Sequence, residues 1–177
     1  MLEQGDVAVW REGEGVGDIP GYDRWNLPQA TALAIWTAPP GPAELRAALA
    51  QSGPAKVCLF GIDPGADTPE AFIRRLTGLV KRALNARDGR APISALAAAT
   101  AQRETTVRLG LAWLAARGHI RVASETGGEV QLMPSDGSST PDADFKALEA
   151  RLRAALAETT AYRAYFREAD AAALVRR

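Results

Sequence analysis

The sequence is poor in the side chains from which most catalytic and metal-binding sites are assembled: it holds one cysteine and one histidine. A single cysteine excludes an internal disulfide and agrees with a reducing compartment. Cys58 lies inside the apolar run KVCLFGI, where a buried, inert thiol is expected rather than a nucleophile, which needs a basic and exposed setting. His119 follows Gly118 with no second histidine and no cysteine partner, so it reads as a satisfied or solvent-exposed imidazole, not as a metal ligand or general base. Long hydrophobic runs are missing too. Nothing approaches the roughly 20 apolar residues that span a bilayer, and the start lacks the basic-then-apolar layout of a secretory signal. The expectation is a soluble, cytoplasmic chain with no membrane partner.

Net charge is also absent, at +0 overall, but the zero hides a division. Residues 1–68 carry four basic and nine acidic side chains, residues 69–134 carry ten and five, and residues 135–177 carry seven of each. An acidic first segment, a basic second and a neutral third suggest different surfaces for different partners. At 47% hydrophobic and 24% charged residues the chain has enough apolar surface for a packed core, so disorder is not its default state.

Three regions follow from the pattern. In residues 1–67 the runs VAVW (Val7 to Trp10), ALAIW (Ala32 to Trp36) and KVCLFGI (Lys56 to Ile62) read as strands. Between the last two, Pro42 suits the first position of a helix, Gly53 and Pro54 stop it, and Leu45, Ala48 and Leu49 form its buried stripe. The strand–helix–strand order predicts a parallel βαβ unit. Its first turn, TAPPGP, holds three prolines, which have no N–H to offer a phosphate. The later turn, GIDPGADTP, lacks a glycine-rich fingerprint, so nucleotide binding is not expected.

Residues 68–134 read as a winged-helix-like segment. Thr68 is the expected cap of a helix with Pro69 at its first position, and Phe72, Ile73, Leu76, Leu79, Val80, Ala83 and Leu84 recur at helical spacing as far as NARDG. A short helix in SALAAAT, capped by Ser94, comes next. A third helix follows, stopped by Gly118, and then two strands joined at Gly127-Gly128. Residues 135–143, rich in Ser, Asp, Gly and Pro, read as a flexible linker. In residues 144–177, Phe145, Leu148, Leu152, Ala155, Leu156 and Thr159 step by three and four and Tyr162, Tyr165 and Phe166 extend the stripe, giving one long amphipathic helix broken near Asp170. The fold class is thus mixed α/β (α+β): a small parallel sheet, a winged-helix-like segment and a long C-terminal helix.

The chemistry to weigh is recognition. The pairs Asp63/Asp67 and Asp142/Asp144 fall in stretches rich in Gly, Pro and Ser and read as solvated turn residues, so no catalytic residue is assigned. A base-reading helix carries polar side chains near its N-terminus, and Gln102, Arg103, Thr105, Thr106 and Arg108 stand there. LGLAWLAA (Leu109 to Ala116) is nevertheless apolar nearly all the way round, and Trp113 reads as a core anchor. Phosphate contacts stay open through Arg103, Arg108, Arg117 and Arg121 on the third helix and wing, and through Arg74, Arg75, Lys81 and Arg82 on the first helix. The apolar stripe Phe145, Leu148, Leu152, Leu156, Tyr162, Tyr165 and Phe166 needs a surface to lie on, either in its own domain or on a partner chain.

The segments ALAIWTAPPGPAELRAALAQSGPAKVCLFG, TPEAFIRRLTGLVKRALN and ISALAAATAQRETTVRLGLAWLAARGHI, taken in order, resemble the C-terminal region of RecJ-type single-stranded-DNA-specific exonucleases. The resemblance covers roughly residues 30–122. It implies an accessory domain of a larger 5′ to 3′ exonuclease of recombinational repair, acting in the cytoplasm. The family's catalytic core binds manganese or magnesium through Asp and His clusters that this sequence does not contain, so metal and catalysis belong elsewhere in such a parent enzyme. The implied partners are that core and a repair protein such as a hexameric helicase or translocase or a single-strand-binding protein, with direct contact to single-stranded DNA as the alternative. A free-standing winged-helix regulator is a third class, which predicts a dimer and a palindromic site.

Overall fold

The computed structural model describes residues 6–14, 19–137 and 141–175. The chain forms two compact units, Met1–Pro64 with Glu158–Arg177, and Gly65–Ala157.

The first unit is built on a sheet of three parallel strands in the order β1 (Val7–Trp10), β2 (Ala32–Thr37), β3 (Lys56–Ile62). Helix α1 (Pro42–Ser52) links β2 to β3 as expected, with Pro42 in its first turn. Gly53 ends it at φ 58, a left-handed conformation that glycine adopts without strain. Ala8, Trp10, Leu33 and Ile35 are buried together with Leu45 and Ala48 of α1. The pairing of β1 with β2 was not foreseen. Parallel neighbours need a crossover, and here residues 11–31 supply it with no helix among the described residues.

That crossover is held by a buried knot. Glu12 and Arg24 form an ion pair with both side chains nearly inaccessible to solvent. The Glu12 carboxylate also accepts from Trp10 Nε1 at 2.8 Å and from the Arg24 backbone N–H at 3.0 Å. One of the nine acids read as a partner-facing surface is therefore interior. A second correction concerns Cys58, which is half-buried and not fully buried. It stands on β3, an edge strand, whose side chains alternate between the core and a second face. On that second face the register aligns Val9, Ala34 and Cys58, and the rings of Trp36 and Phe60 lie 4.9 Å apart. Val7 at 65% and Phe60 at 54% exposure stand open on the two edge strands, while Val9, Ala34, Trp36 and Cys58 are half-buried.

The second unit has the winged-helix order: α2 (Pro69–Ala86), β4 (Arg90–Pro92), α3 (Ile93–Thr100), α4 (Glu104–Ala116), then β5 (Ile120–Thr126) and β6 (Glu129–Pro134). Thr68 caps α2, its hydroxyl accepting from the Ala71 N–H. Gly127 and Gly128, at φ 61 and 81, make the two-residue turn between β5 and β6, where both central residues need positive φ. Strand β4, which the sequence reading missed, pairs antiparallel with β6 to give the order β4-β6-β5. Ser94 does not cap α3. The cap position is Pro92, the last residue of β4, and the N–H of Ile93 donates to Gly128 O at 2.8 Å. The core joins Phe72, Leu76 and Val80 of α2, Val107, Leu111 and Leu114 of α4, and Val130 and Leu132 of β6. Helices α2 and α4 approach closely because residue 110 has no side chain; a Cβ there would lie 2.6 Å from both Leu76 and Phe72.

The long helix α5 (Asp142–Glu168) contributes to both units, its residues through Ala157 clustering with the second and those from Glu158 with the first. The sequence pattern sets residues 144–177 apart as one segment. The expected break is present, since α5 ends before Asp170 and that side chain accepts from the Ala172 N–H at the start of α6 (Ala171–Val175). Positions 142 and 144, read as loop, lie within α5. Of the linker assigned to 135–143, residues 138–140 lie outside the described residues.

Candidate interaction site

The stripe proposed for a partner chain is spent mostly inside the protein. Leu152 and Leu156 belong to the core of the second unit, and Phe166 with half-buried Tyr162 belongs to that of the first. Phe145 is buried against Trp113, ring centroids 5.7 Å apart. Arg163, also buried on this helix, donates through Nε to Ala38 O at 3.0 Å. Leu148 and Tyr162, both half-buried, and Tyr165, 53% exposed, reach the surface. An apolar stripe does not distinguish its own core from another chain's surface.

The arginines assigned to DNA divide into two sets. On α4 and the wing they are engaged within the chain. Arg103 donates through Nη2 to Ala155 O at 3.0 Å. Arg108 pairs with Glu125 at 2.7 Å and Glu104 at 3.1 Å, and the hydrogen bond to Glu125 raises its pKa above an already high ordinary value, with burial opposing. Arg117 lies over the ring of Phe145 at 4.1 Å and that of Trp113 at 5.5 Å. Arg121 meets Met133 Sδ at 3.0 Å. On α2, Arg74, Lys81 and Arg82 are exposed and, like the exposed Arg117 and Arg121, pair with no described acid, but they meet no described ring or sulfur either, while Arg75 is half-buried. Gln102 and Thr106, expected on the reading face, are both buried, and Gln102 donates through Nε2 to Asp67 at 2.8 Å.

What the outward side of α4 does present is a groove. A cavity of about 650 Å³ opens between α4, the β5–β6 hairpin and the start of α5. Its floor is Leu111, Ala112, Ala115, Ile120, Val122 and Leu148; its charged rim includes Arg108 with Glu125, Arg121, and the acids Asp136 and Asp144. Ala112 and Ala115 make the groove, because their short side chains leave space that a leucine would fill. Sequence reasoning missed them, since an alanine among leucines reads as burial and nothing local shows that the hairpin stands off from it. An apolar floor with a rim of both signs suits protein side chains better than phosphates.

No group of three or more His, Cys, Asp or Glu that could hold a metal ion occurs among the described residues. No helix among the described residues is long and apolar enough to cross a membrane. The fold is a mixed α/β arrangement with a winged-helix unit. No protein-family model, curated protein or solved structure matches the chain.

Proposed function

We propose that the chain is a non-catalytic accessory domain of a RecJ-like 5′ to 3′ single-stranded-DNA exonuclease, working in cytoplasmic recombinational repair as a protein-interaction module. The order of its motifs supports the family reading. The groove carries the interaction reading: where a winged helix reads bases, this one offers alanine and leucine, and its one arginine on that side of α4 is neutralised by two glutamates. A nuclease that processes ends needs a supplied single strand, so a helicase, translocase or single-strand-binding protein is the class of partner. Removing this region from the whole enzyme is expected to abolish co-purification with that partner and to leave digestion of a free single strand intact. Retained co-purification contradicts the reading.

Direct contact with the DNA backbone is the second reading. One observation favours it, the exposed basic side chains of α2 that meet no described acid.

A further inference from the structure

Helix α2 buries one side and shows solvent another. Its exposed positions Arg74, Gly78, Lys81, Arg82 and Asn85 fall within one stripe of the helix surface, opposite Phe72, Leu76 and Ala83. Glu70, in the first turn, is the one acid on that stripe, and Arg87 continues the basic character just past the C-terminus. The apolar side chains nearest the stripe are small, half-buried Ala71 in the first turn and exposed Ala86 at the last residue.

Gly78 is the anomaly. Glycine in a helix interior is destabilising relative to alanine, and close packing is one reason for its presence there. Gly110 on α4 has the packing reason. Gly78 has none, because a Cβ built on it meets no atom within 4 Å. It leaves a dip in the stripe between Arg74 on one side and Lys81 with Arg82 on the other, which are about 10 Å apart along the axis at 1.5 Å per residue.

We propose that this face of α2 binds the phosphodiester backbone of a nucleic acid, the strand crossing the helix at Gly78 with Arg74, Lys81 and Arg82 neutralising phosphates. The proposal rests on the second reading above and moves it from α4 and the wing, where Arg103 and Arg108 are tied to a carbonyl and to two acids and Arg117 and Arg121 lie against rings and a thioether, to α2. Because no base-reading element accompanies the stripe, binding is expected to be indifferent to sequence and steeply salt-dependent.

The test is fluorescence anisotropy with the full chain, titrated against a labelled oligothymidine and, in parallel, a duplex of equal length to learn which strand form is bound. For three phosphate contacts on the single strand, the slope of log affinity against log salt is expected near about −2, a loss of roughly 20-fold between about 50 and 200 mM. The double variant Lys81→Glu/Arg82→Glu should lose at least about tenfold in affinity and flatten the slope toward the single-contact value of about −0.7. Gly78→Gln, a better helix former with a long neutral side chain, should weaken binding about fivefold while the melting temperature holds or rises, a combination that mere damage to the fold cannot produce. If Arg117→Glu/Arg121→Glu abolishes binding and the α2 variants do not, the α2 site is overturned while the DNA reading stands. If the wild-type chain shows no binding at about 50 mM salt, both are overturned.

Discussion

Arg108 on α4 donates through Nε to a carboxylate oxygen of Glu125 on β5 at 2.7 Å, so the helix and the wing are joined across the mouth of the groove. Glu104, one turn earlier on α4, takes a second N–H of the same guanidinium at 3.1 Å. Two acids on one base leave this edge net negative, which works against DNA. Replacing both by glutamine is expected to raise affinity for single-stranded DNA at low salt. Because the pairs are more than a third exposed, folding stability should change by no more than about 1 kcal/mol. An unchanged affinity would mean that these glutamates do not govern what the face accepts.

Two glycines in helix interiors should respond to alanine with opposite signs. At position 110 the new methyl would lie 2.6 Å from Phe72 and Leu76, both fully buried, so Gly110→Ala is expected to destabilise by about 1–3 kcal/mol through overpacking. At position 78 nothing is met, and Gly78→Ala should stabilise by up to about 1 kcal/mol. Thermal and urea unfolding of the two variants checks both signs.

The knot in the first unit makes a larger prediction. Glu12→Ala would leave the Arg24 guanidinium buried without its carboxylate, and would also take the acceptor from Trp10 Nε1. Breaking one side of a buried pair costs roughly 3–5 kcal/mol. Replacing both, as Glu12→Leu/Arg24→Met, should cost much less. Equal losses in the single and double variants would show that the pair does not act as a unit.

These features differ in how far local sequence could reveal them. Pro42 and Gly53 around α1, Thr68 before α2, the glycine pair at 127 and 128 and the break at Asp170 are each set by the chemistry of a few adjacent residues, and each stands where the pattern predicted it. Strand β4 has three residues ending in proline, and it is a strand only because β6 comes to lie beside it. The Glu12–Arg24 pair spans twelve positions within a stretch of ordinary loop composition. The fate of Phe145, Leu152, Leu156 and Phe166 depended on long-range packing, which helical spacing alone does not encode. The groove likewise exists through the separation of α4 from the hairpin, and the basic face of α2 is defined by which of its side chains the tertiary fold leaves exposed.

Tyr162 gives a pH dependence with a definite direction. Its pKa is pushed up from 10.0 to about 12, chiefly by burial and then by the nearby Tyr165. A folded pKa above the unfolded one means that the folded state holds the proton more tightly. Its contribution to stability is therefore complete below about pH 10 and disappears as pH climbs from about 10 to about 12. Tyr162→Phe should flatten the loss of stability in that window and remove the highest-pH step from the tyrosinate absorbance titration. A wild-type titration without that late step would contradict the assignment.

The central claim is that the groove beside α4 docks a protein by apolar contact. Its most direct test is the affinity of the full chain for purified single-strand-binding protein and for a purified DNA translocase, measured with wild type and with Ala112→Arg at low and high salt. The account predicts that wild-type binding to one of them survives high salt, and that the arginine, which fills the groove floor, weakens it at least about tenfold, or roughly 1.4 kcal/mol, at both salt concentrations. Wild-type binding that vanishes in high salt, or that ignores Ala112→Arg, would contradict it.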